Sequence, residues 1–273
     1  MAVETAVLEW LKWDTATTYK SPGLLSGGEV YAESDMAIRR GSSNQASFFA
    51  GPVTFGGSAT MLATLDTKAL VQKAVRAAGV LTALNIYGGT AAVDLLHAGS
   101  LIKSLRASGR VDEPMECSID WLALTETEAA TGGAPVALTS DLFSYGGAAV
   151  TIGASPFKCQ GWELSLNNNL QHYRTLDAKS ATTKRLPTGI TPGTEEIEFS
   201  ADFLDKHTWD VDEDAPAVNL GAIVAYTDGA NSITFTLTNL ARRGRRSIRI
   251  ETESGLIIWR YQFIAKPGAL AIT

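Results

Sequence analysis

The chain has 273 residues, 45% hydrophobic and 19% charged, with nine prolines and twenty-five glycines spread along it. That composition excludes a disordered chain and leaves room for one large β-domain or two similar ones. A net charge of −6 and a pI near 5.2 exclude the basic surface a general DNA binder needs, and no run approaches the roughly 20 apolar residues that span a bilayer, so no membrane partner is expected and the chain is soluble as made.

Residues 1–28 read as an N-terminal arm with a helix from Val3 to Trp13. Glu4, Glu9 and Lys12 interrupt its apolar residues and no basic stretch precedes it, so it does not read as a signal peptide. Strands follow at Ser34 to Ile38 and Gly57 to Ala63, each alternating with period two. Thr67 to Ala78 reads as a helix, with Ala69, Leu70, Ala74 and Ala77 or Ala78 near one side and Gly79 as its stop. Turns are expected at Gly88-Gly89, Gly146-Gly147, Asp228-Gly229 and Ser254-Gly255.

Cys117 to Ala123 is the next strand, and Thr125 to Pro156 joins two halves while carrying a strand near Ala148 to Ile152. Trp162 to Leu166, Ile197 to Phe203 and Trp259 to Ala265 are strands again. Phe203 to Asp214 predicts a short helix or turn. Cys117 and Cys159 sit in apolar strand-like surroundings that suit reduced, buried thiols in a cytosolic assembly, leaving a disulfide open but not implied.

The strands repeat. Met36 and Ile38 fall on Leu164 and Leu166, Gly57 to Ala63 on Ile197 to Phe203, and Cys117 to Ala123 on Trp259 to Ala265, at offsets of 128, 140 and 142. Most of the drift is a twelve-residue insertion in the loop Asn167 to Thr194. This predicts a mainly β fold of two tandem β-sandwich or barrel domains, each with a flanking helix or turn: residues 29–127 and 157–273, with 1–28 as the arm and 128–156 as the connecting segment.

Catalytic chemistry is sparse. His97, His172 and His207 have no second ligand at metal spacing and read as solvated loop residues or polar contacts. Ser58 and Ser144 each lack one glycine of a nucleophile elbow, and there is no phosphate-cradling loop, so neither an enzyme nor a cofactor is expected. Carboxylates at 195, 196, 198, 202, 205, 210, 212, 213 and 214 face a single Lys206; calcium would be the sharp reading, but the spacing fits a solvated or lumen-facing surface better. Arg242, Arg243, Arg245, Arg246 and Arg249 form the opposite cluster, read as a pairing surface between neighbouring subunits.

Gly161 to Asp205 opens with GWELSLNNNLQ, passes a long polar loop with LPTGITPG, and ends in TEEIEFSADFLD. It resembles the signature stretch of siphophage tail tube proteins, as IIWRYQFIAKP at Ile257 to Pro267 resembles their terminal strand. FFAGPVTFGGSATMLATLD and CSIDWLAL are weaker echoes in the first half, so the resemblance covers about 240 residues. It implies a structural virion protein, assembled in the host cytoplasm, whose subunits join edge to edge into rings with an inner β-barrel that stack into a hollow tube.

Its implied partners are itself, as a trimeric pseudo-hexamer or as six chains, the tape measure protein, tail terminator or baseplate proteins, and phage DNA passing without specific binding. The resemblance makes Asn167, Asn168, Asn169, His172, Tyr173, Arg174, Lys184 and Arg185 candidates for contact between subunits or rings, with Gly41 to Pro52 as the shorter counterpart. Glu195, Glu196, Glu198 and Asp202 are lumen or charged-surface candidates, and Arg242, Arg243, Arg245 and Arg246 basic interface candidates. The alternatives are a carbohydrate-binding β-sandwich, an adhesin or receptor-binding module with Trp10, Trp13 and Trp162 as stacking platforms, and a hydrolase on a β scaffold.

Overall fold

The computed structural model describes residues 6–7, 10–13, 19–20, 25–40, 46–89, 94–128, 135–136, 140–153, 155–156, 158–175, 185–206, 218–244, 247–250 and 255–273. The first stretch holds β1 (Ala6–Val7), β2 (Trp10–Trp13), β3 (Tyr19–Lys20), β4 (Leu25–Arg40), β5 (Ala46–Leu62), α1 (Leu65–Gln72), β6 (Leu84–Gly89), β7 (Asp94–Arg110), β8 (Glu116–Ala123) and β9 (Thr125–Glu128). The second holds β10 (Pro135–Val136), β11 (Ala148–Ile152), β12 (Ser155–Pro156), β13 (Cys159–Asn167), β14 (Gln171–Tyr173), β15 (Gly189–Thr191), β16 (Glu196–Phe203), β17 (Leu220–Thr227), β18 (Ser232–Arg242), β19 (Ser247–Ile250), β20 (Ile257–Ala265) and β21 (Leu270–Ile272). The fold is mainly β, as its alternating segments predict.

Seven strands form one continuous antiparallel sheet in the order β4, β5, β8, β7, β13, β16, β20. Period-two alternation gives it one apolar face: Cys117, Ile119 and Trp121 of β8 are buried while Glu116 and Asp120 are exposed, and Ile197, Phe199, Ala201 and Phe203 of β16 are buried while Glu196 and Glu198 are exposed. A second layer covers the apolar face. Leu11 and Trp13 of β2, Leu70 and Val71 of α1, and Leu84 and Ile86 of β6 do so in the first stretch; Val150, Val224, Phe235 and Leu237 do so in the second. All of these side chains belong to one core cluster.

The same order of pairing runs twice. In the first stretch β4 pairs β5, β5 pairs β8, β8 pairs β7, and the start of β7 turns away to pair β6 and β9. In the second, β13 pairs β16, β16 pairs β20, β20 pairs the end of β18, and the start of β18 turns away to pair β17 and β21. A strand ahead of each set completes its outer layer, β2 on β6 and β11 on β17.

Three local expectations are corrected. Ala6–Val7 and Trp10–Trp13 are strands, not a helix, because Trp10, Leu11 and Trp13 are all buried, and β2 can bury them only while its backbone pairs β6. The helix spans Leu65–Gln72 instead of ending at Gly79. It starts on a capping box, Thr64 and Thr67 each accepting from the other's backbone N–H, and it tightens beyond Gln72 into bonds from Lys73, Ala74 and Val75 to the carbonyls three residues back. Gly88-Gly89 is the end of β6 and not a turn: Gly89 lies beneath the Trp10 indole, where a Cβ would come within 1.7 Å of Nε1. The segment beyond Phe203 holds no helix as far as Lys206, and residues 207–217 lie outside the described ones.

Candidate functional site

Two surfaces combine polar side chains with a position set by the main sheet. One is the sheet's polar face, which alternation builds opposite the core. Arg106 of β7 reaches Glu163 of β13 at 2.7 Å, across the seam where the two stretches meet. Arg260 lies directly opposite Asp202 and grips it through both nitrogens, Nε to Oδ1 at 2.6 Å and Nη2 to Oδ2 at 2.8 Å. Arg243 pairs with Glu198, and Ser104 donates to Asp120. A cleft of 430 Å³ at one end of the seam is lined by Arg106, Glu163, Asp202 and Arg260 together with Arg110, Glu113 and Glu116. Its cations and carboxylates neutralise one another, and no nucleophile and base are paired in it.

The candidate acidic residues therefore divide. Glu196, Glu198 and Asp202 are on the polar face. Glu195 is not: it is 3% exposed, its Oε2 accepts from the Gly268 backbone N–H, and Oε1 has no partner among the described residues. The basic candidates divide too. Arg243 is exposed on the polar face, whereas Arg242 lies opposite Phe263, 6% exposed on the core side. Arg245 and Arg246 lie outside the described residues.

The second surface is the arm that leaves β13. Asn168 is fully buried: its Nδ2 donates to Ala74 O at 2.9 Å and Ile102 O at 3.1 Å, and its Oδ1 accepts from Arg76 Nε at 3.2 Å. Arg76 also holds Gly193 O at 2.7 Å, so the carbonyls at the end of α1 and both roots of the arm share one network. Asn167 Oδ1 accepts the Asn169 N–H, and Asn169 Nδ2 donates to Thr194 O at 2.7 Å, closing the arm's base.

Farther out, β14 and β15 pair as a small ribbon on which Tyr173 packs over Gly189 and stays about half exposed. His172 Nε2 meets Ala123 O at 2.8 Å. Arg174 donates to Val53 O at 2.5 Å and to the Arg185 carbonyl at 3.2 Å. Asn168, His172 and Arg174, candidates for contact between subunits or rings, thus each spend polar atoms on the first stretch of their own chain, at Ala74 and Ile102, Ala123 and Val53. Lys184 lies outside the described residues. Arg76 carried no sequence signal, since its role depends on a partner 92 residues away.

Burial lowers the His172 pKa from the ordinary 6.5, with Arg174 adding to the drop and the bond to Ala123 opposing it. The folded state then binds this proton less readily than the unfolded state, so its contribution is whole above the unfolded value and is lost as pH falls below it toward the folded one. Acidification from about pH 7 to about pH 5 is expected to speed proteolytic cleavage of the arm, and His172→Gln to flatten that dependence.

The remaining candidates are structural. His97 is 1% exposed on β7; its Nδ1 accepts from Trp121 Nε1 at 2.9 Å, which leaves Nε2 to donate to Glu126 at 2.8 Å. His207 lies outside the described residues. Cys117 and Cys159 are free thiols that burial pushes up to about 12, so neither is a ready nucleophile. Trp10, Trp13 and Trp162 are 6%, 5% and 5% exposed, which removes them as stacking platforms for a sugar. Residues 13–265 match the family model described as phage tail tube protein. No curated protein matches the chain at a significant level.

Proposed function

The chain belongs to the phage tail tube protein family, and from that premise we propose that its copies close into rings and that the rings stack into the hollow tube through which the phage genome passes. The observation that carries this reading is the seam between β7 and β13. There the last strand of one set of four pairs with the first strand of the next, over seven residues from Ser104 to Arg110. The same kind of join is open at the two ends of the sheet. At one end, among the described residues, β4 has a neighbour beyond β5 only at Glu29 and Val30, where the two-residue β1 pairs. At the other, β19 pairs β20 alone among the described residues.

An edge with free backbone groups is a template for another strand. This one is apolar as well: Ile248, Ile250 and Ile257 are 54%, 66% and 48% exposed. A repeat of the seam between β19 of one copy and β4 of the next buries them and leaves no sheet edge after closure. Each chain then supplies two tube-like units, residues 29–127 and 157–273, completed by β2 from the arm and β11 from the connecting segment. Three chains make a pseudo-sixfold ring.

The polar face lines the lumen in this arrangement. Three of its arginines, Arg106, Arg243 and Arg260, are held by carboxylates, and Glu116, Asp120 and Glu196 stand on the same face as Arg110, so DNA phosphates find few uncommitted cations and slide. The protein acts as a structural component of the virion tail, built in the host cytoplasm, with the tape measure protein inside the tube and terminator or baseplate proteins at its ends.

Electron microscopy of the concentrated protein tests this. Hollow rods are expected, with a ring mass of three chains. Rings of six chains would overturn the pairing of units within a chain, and persistent monomers in the presence of a tail initiator complex would overturn the tube itself.

A further inference from the structure

A second pocket, of 240 Å³, opens at the same end of the seam as the charged cleft. Its walls come from Gly109 at the end of β7, Cys159 to Trp162 of β13 and, in the second layer, Ala148 to Val150 of β11 and Tyr226 of β17. Gly109, Gly161, Ala148 and Ala149 leave space because their side chains are small, and the Trp162 indole supplies a flat aromatic wall. The volume lies below the roughly 300–1,000 Å³ of sites for drug-sized ligands, so it suits a single ring with short substituents.

Its polar groups differ in depth. Tyr226 is 1% exposed; its Oη accepts from Trp162 Nε1 at 2.8 Å, and its own proton goes to no acceptor among the described residues. Burial pushes this phenol up to about 12, so the hydroxyl keeps its proton and remains a donor. A buried donor without an acceptor is unfavourable, and a ligand atom that accepts from it recovers that loss. The Cys159 thiol is already committed, Sγ donating to Gly161 O at 3.2 Å. The mouth is marked by the exposed residues that border the pocket, Lys158, Arg110 and Tyr145. Among the described residues neither cation is paired with a carboxylate, and no carboxylate lines this pocket, whereas Glu113, Glu116, Glu163 and Asp202 all line the cleft on the polar face.

We infer that this pocket binds a small aromatic carboxylic acid, its ring against the Trp162 indole, its carboxylate at the mouth with Lys158 and Arg110, and an acceptor at the far end of the ring taking the Tyr226 proton. A planar ring matches the aromatic wall and the small residues facing it, and the two cations select an anion over its neutral counterpart. The ligand touches β7, β13, β11 and β17 together, so when bound it ties the outer layer of the second half to the end of the seam. All of these residues belong to one chain, and binding does not depend on how copies assemble.

Calorimetric titration of the full-length chain with para-hydroxyphenylacetate tests this. Saturable binding at one site per chain is expected, with para-hydroxyphenylacetamide, which lacks the charge, at least about tenfold weaker, and phenylacetate, which lacks the far acceptor, about fivefold weaker. Arg110→Gln/Lys158→Gln changes two exposed side chains and is expected to abolish the preference for the acid over the amide. Tyr226→Phe is expected to abolish the preference for the hydroxylated ring; because it also removes the acceptor of Trp162 Nε1, the comparison with phenylacetate on the unmodified chain carries the same question without a mutation. No saturable binding at several millimolar acid, an acid held no more tightly than its amide, or an affinity untouched by Arg110→Gln/Lys158→Gln would each overturn the assignment.

Discussion

Trp162→Ala is expected to lower the free energy of unfolding by about 3–5 kcal/mol, the range for truncating a buried tryptophan. The indole lies on β13 at the middle of the main sheet, opposite Gly109 of β7 on one side and Ala201 of β16 on the other. Its ring is 5.6 Å from Phe235 and 6.0 Å from Tyr226 in the second layer, and its Nε1 donates to Tyr226 Oη at 2.8 Å. Truncation opens a cavity and leaves the buried Tyr226 hydroxyl without its donor.

The neighbours cannot close that space cheaply, because Gly109 has no side chain to advance and is already occupied from above. A Cβ there would come within 1.9 Å of Tyr226 Oη and 2.7 Å of Trp162 Nε1. Trp162→Phe, which keeps most of the packing and loses the hydrogen bond, is expected to cost about 1–2 kcal/mol. Urea unfolding monitored by far-UV circular dichroism separates the two; equal midpoints would refute the packing account. Since β13 is half of the seam, Trp162→Ala is also expected to weaken assembly.

The second large effect is expected at Asn168. Asn168→Leu keeps the volume, yet it removes the two donors that satisfy Ala74 O and Ile102 O and the acceptor that faces Arg76. Buried carbonyls stripped of donors cost about 1–3 kcal/mol each before relaxation, so a loss of about 3 kcal/mol is expected. Because the same side chain ties the arm to the end of α1, the arm should also be cut faster by protease than the rest of the chain. An Arg76→Ala/Asn168→Ala double-mutant cycle is expected to give a coupling above about 1 kcal/mol. Additive losses would mean that the two side chains act separately.

Strand faces were legible in the sequence because alternation is local: Ile197, Phe199, Ala201 and Phe203 could be assigned to one side without knowing what they pack against, and all four are buried. The order of elements was legible for the same reason, and the second and third aligned strand pairs occupy corresponding places in the sheet, but the first is displaced by about eight residues: Leu166 faces Ile197, and the residue that faces Gly57 is Val30, not Ile38. The N-terminal segment misled because Val3, Val7, Leu8 and Leu11 satisfy a helical spacing, while the strand at Trp10–Trp13 exists only through its pairing with β6. The helix end misled because Gly79 is a fair stop, but the Ala74 carbonyl is met earlier by Asn168.

Alternation and turn residues thus determined, from the sequence alone, that the chain is mainly β, which face of each strand is apolar, and that its elements recur. Partner choice was decided only in the tertiary structure: that β7 joins β13, that Asn168 and Arg174 turn inward on their own chain, and that Glu195 is buried while Glu196 is not. The physical reason is range. A side chain's face is set by its nearest neighbours along the strand, whereas the burial of a polar group depends on donors and acceptors that the fold brings from 94 residues away for Asn168 and 121 for Arg174.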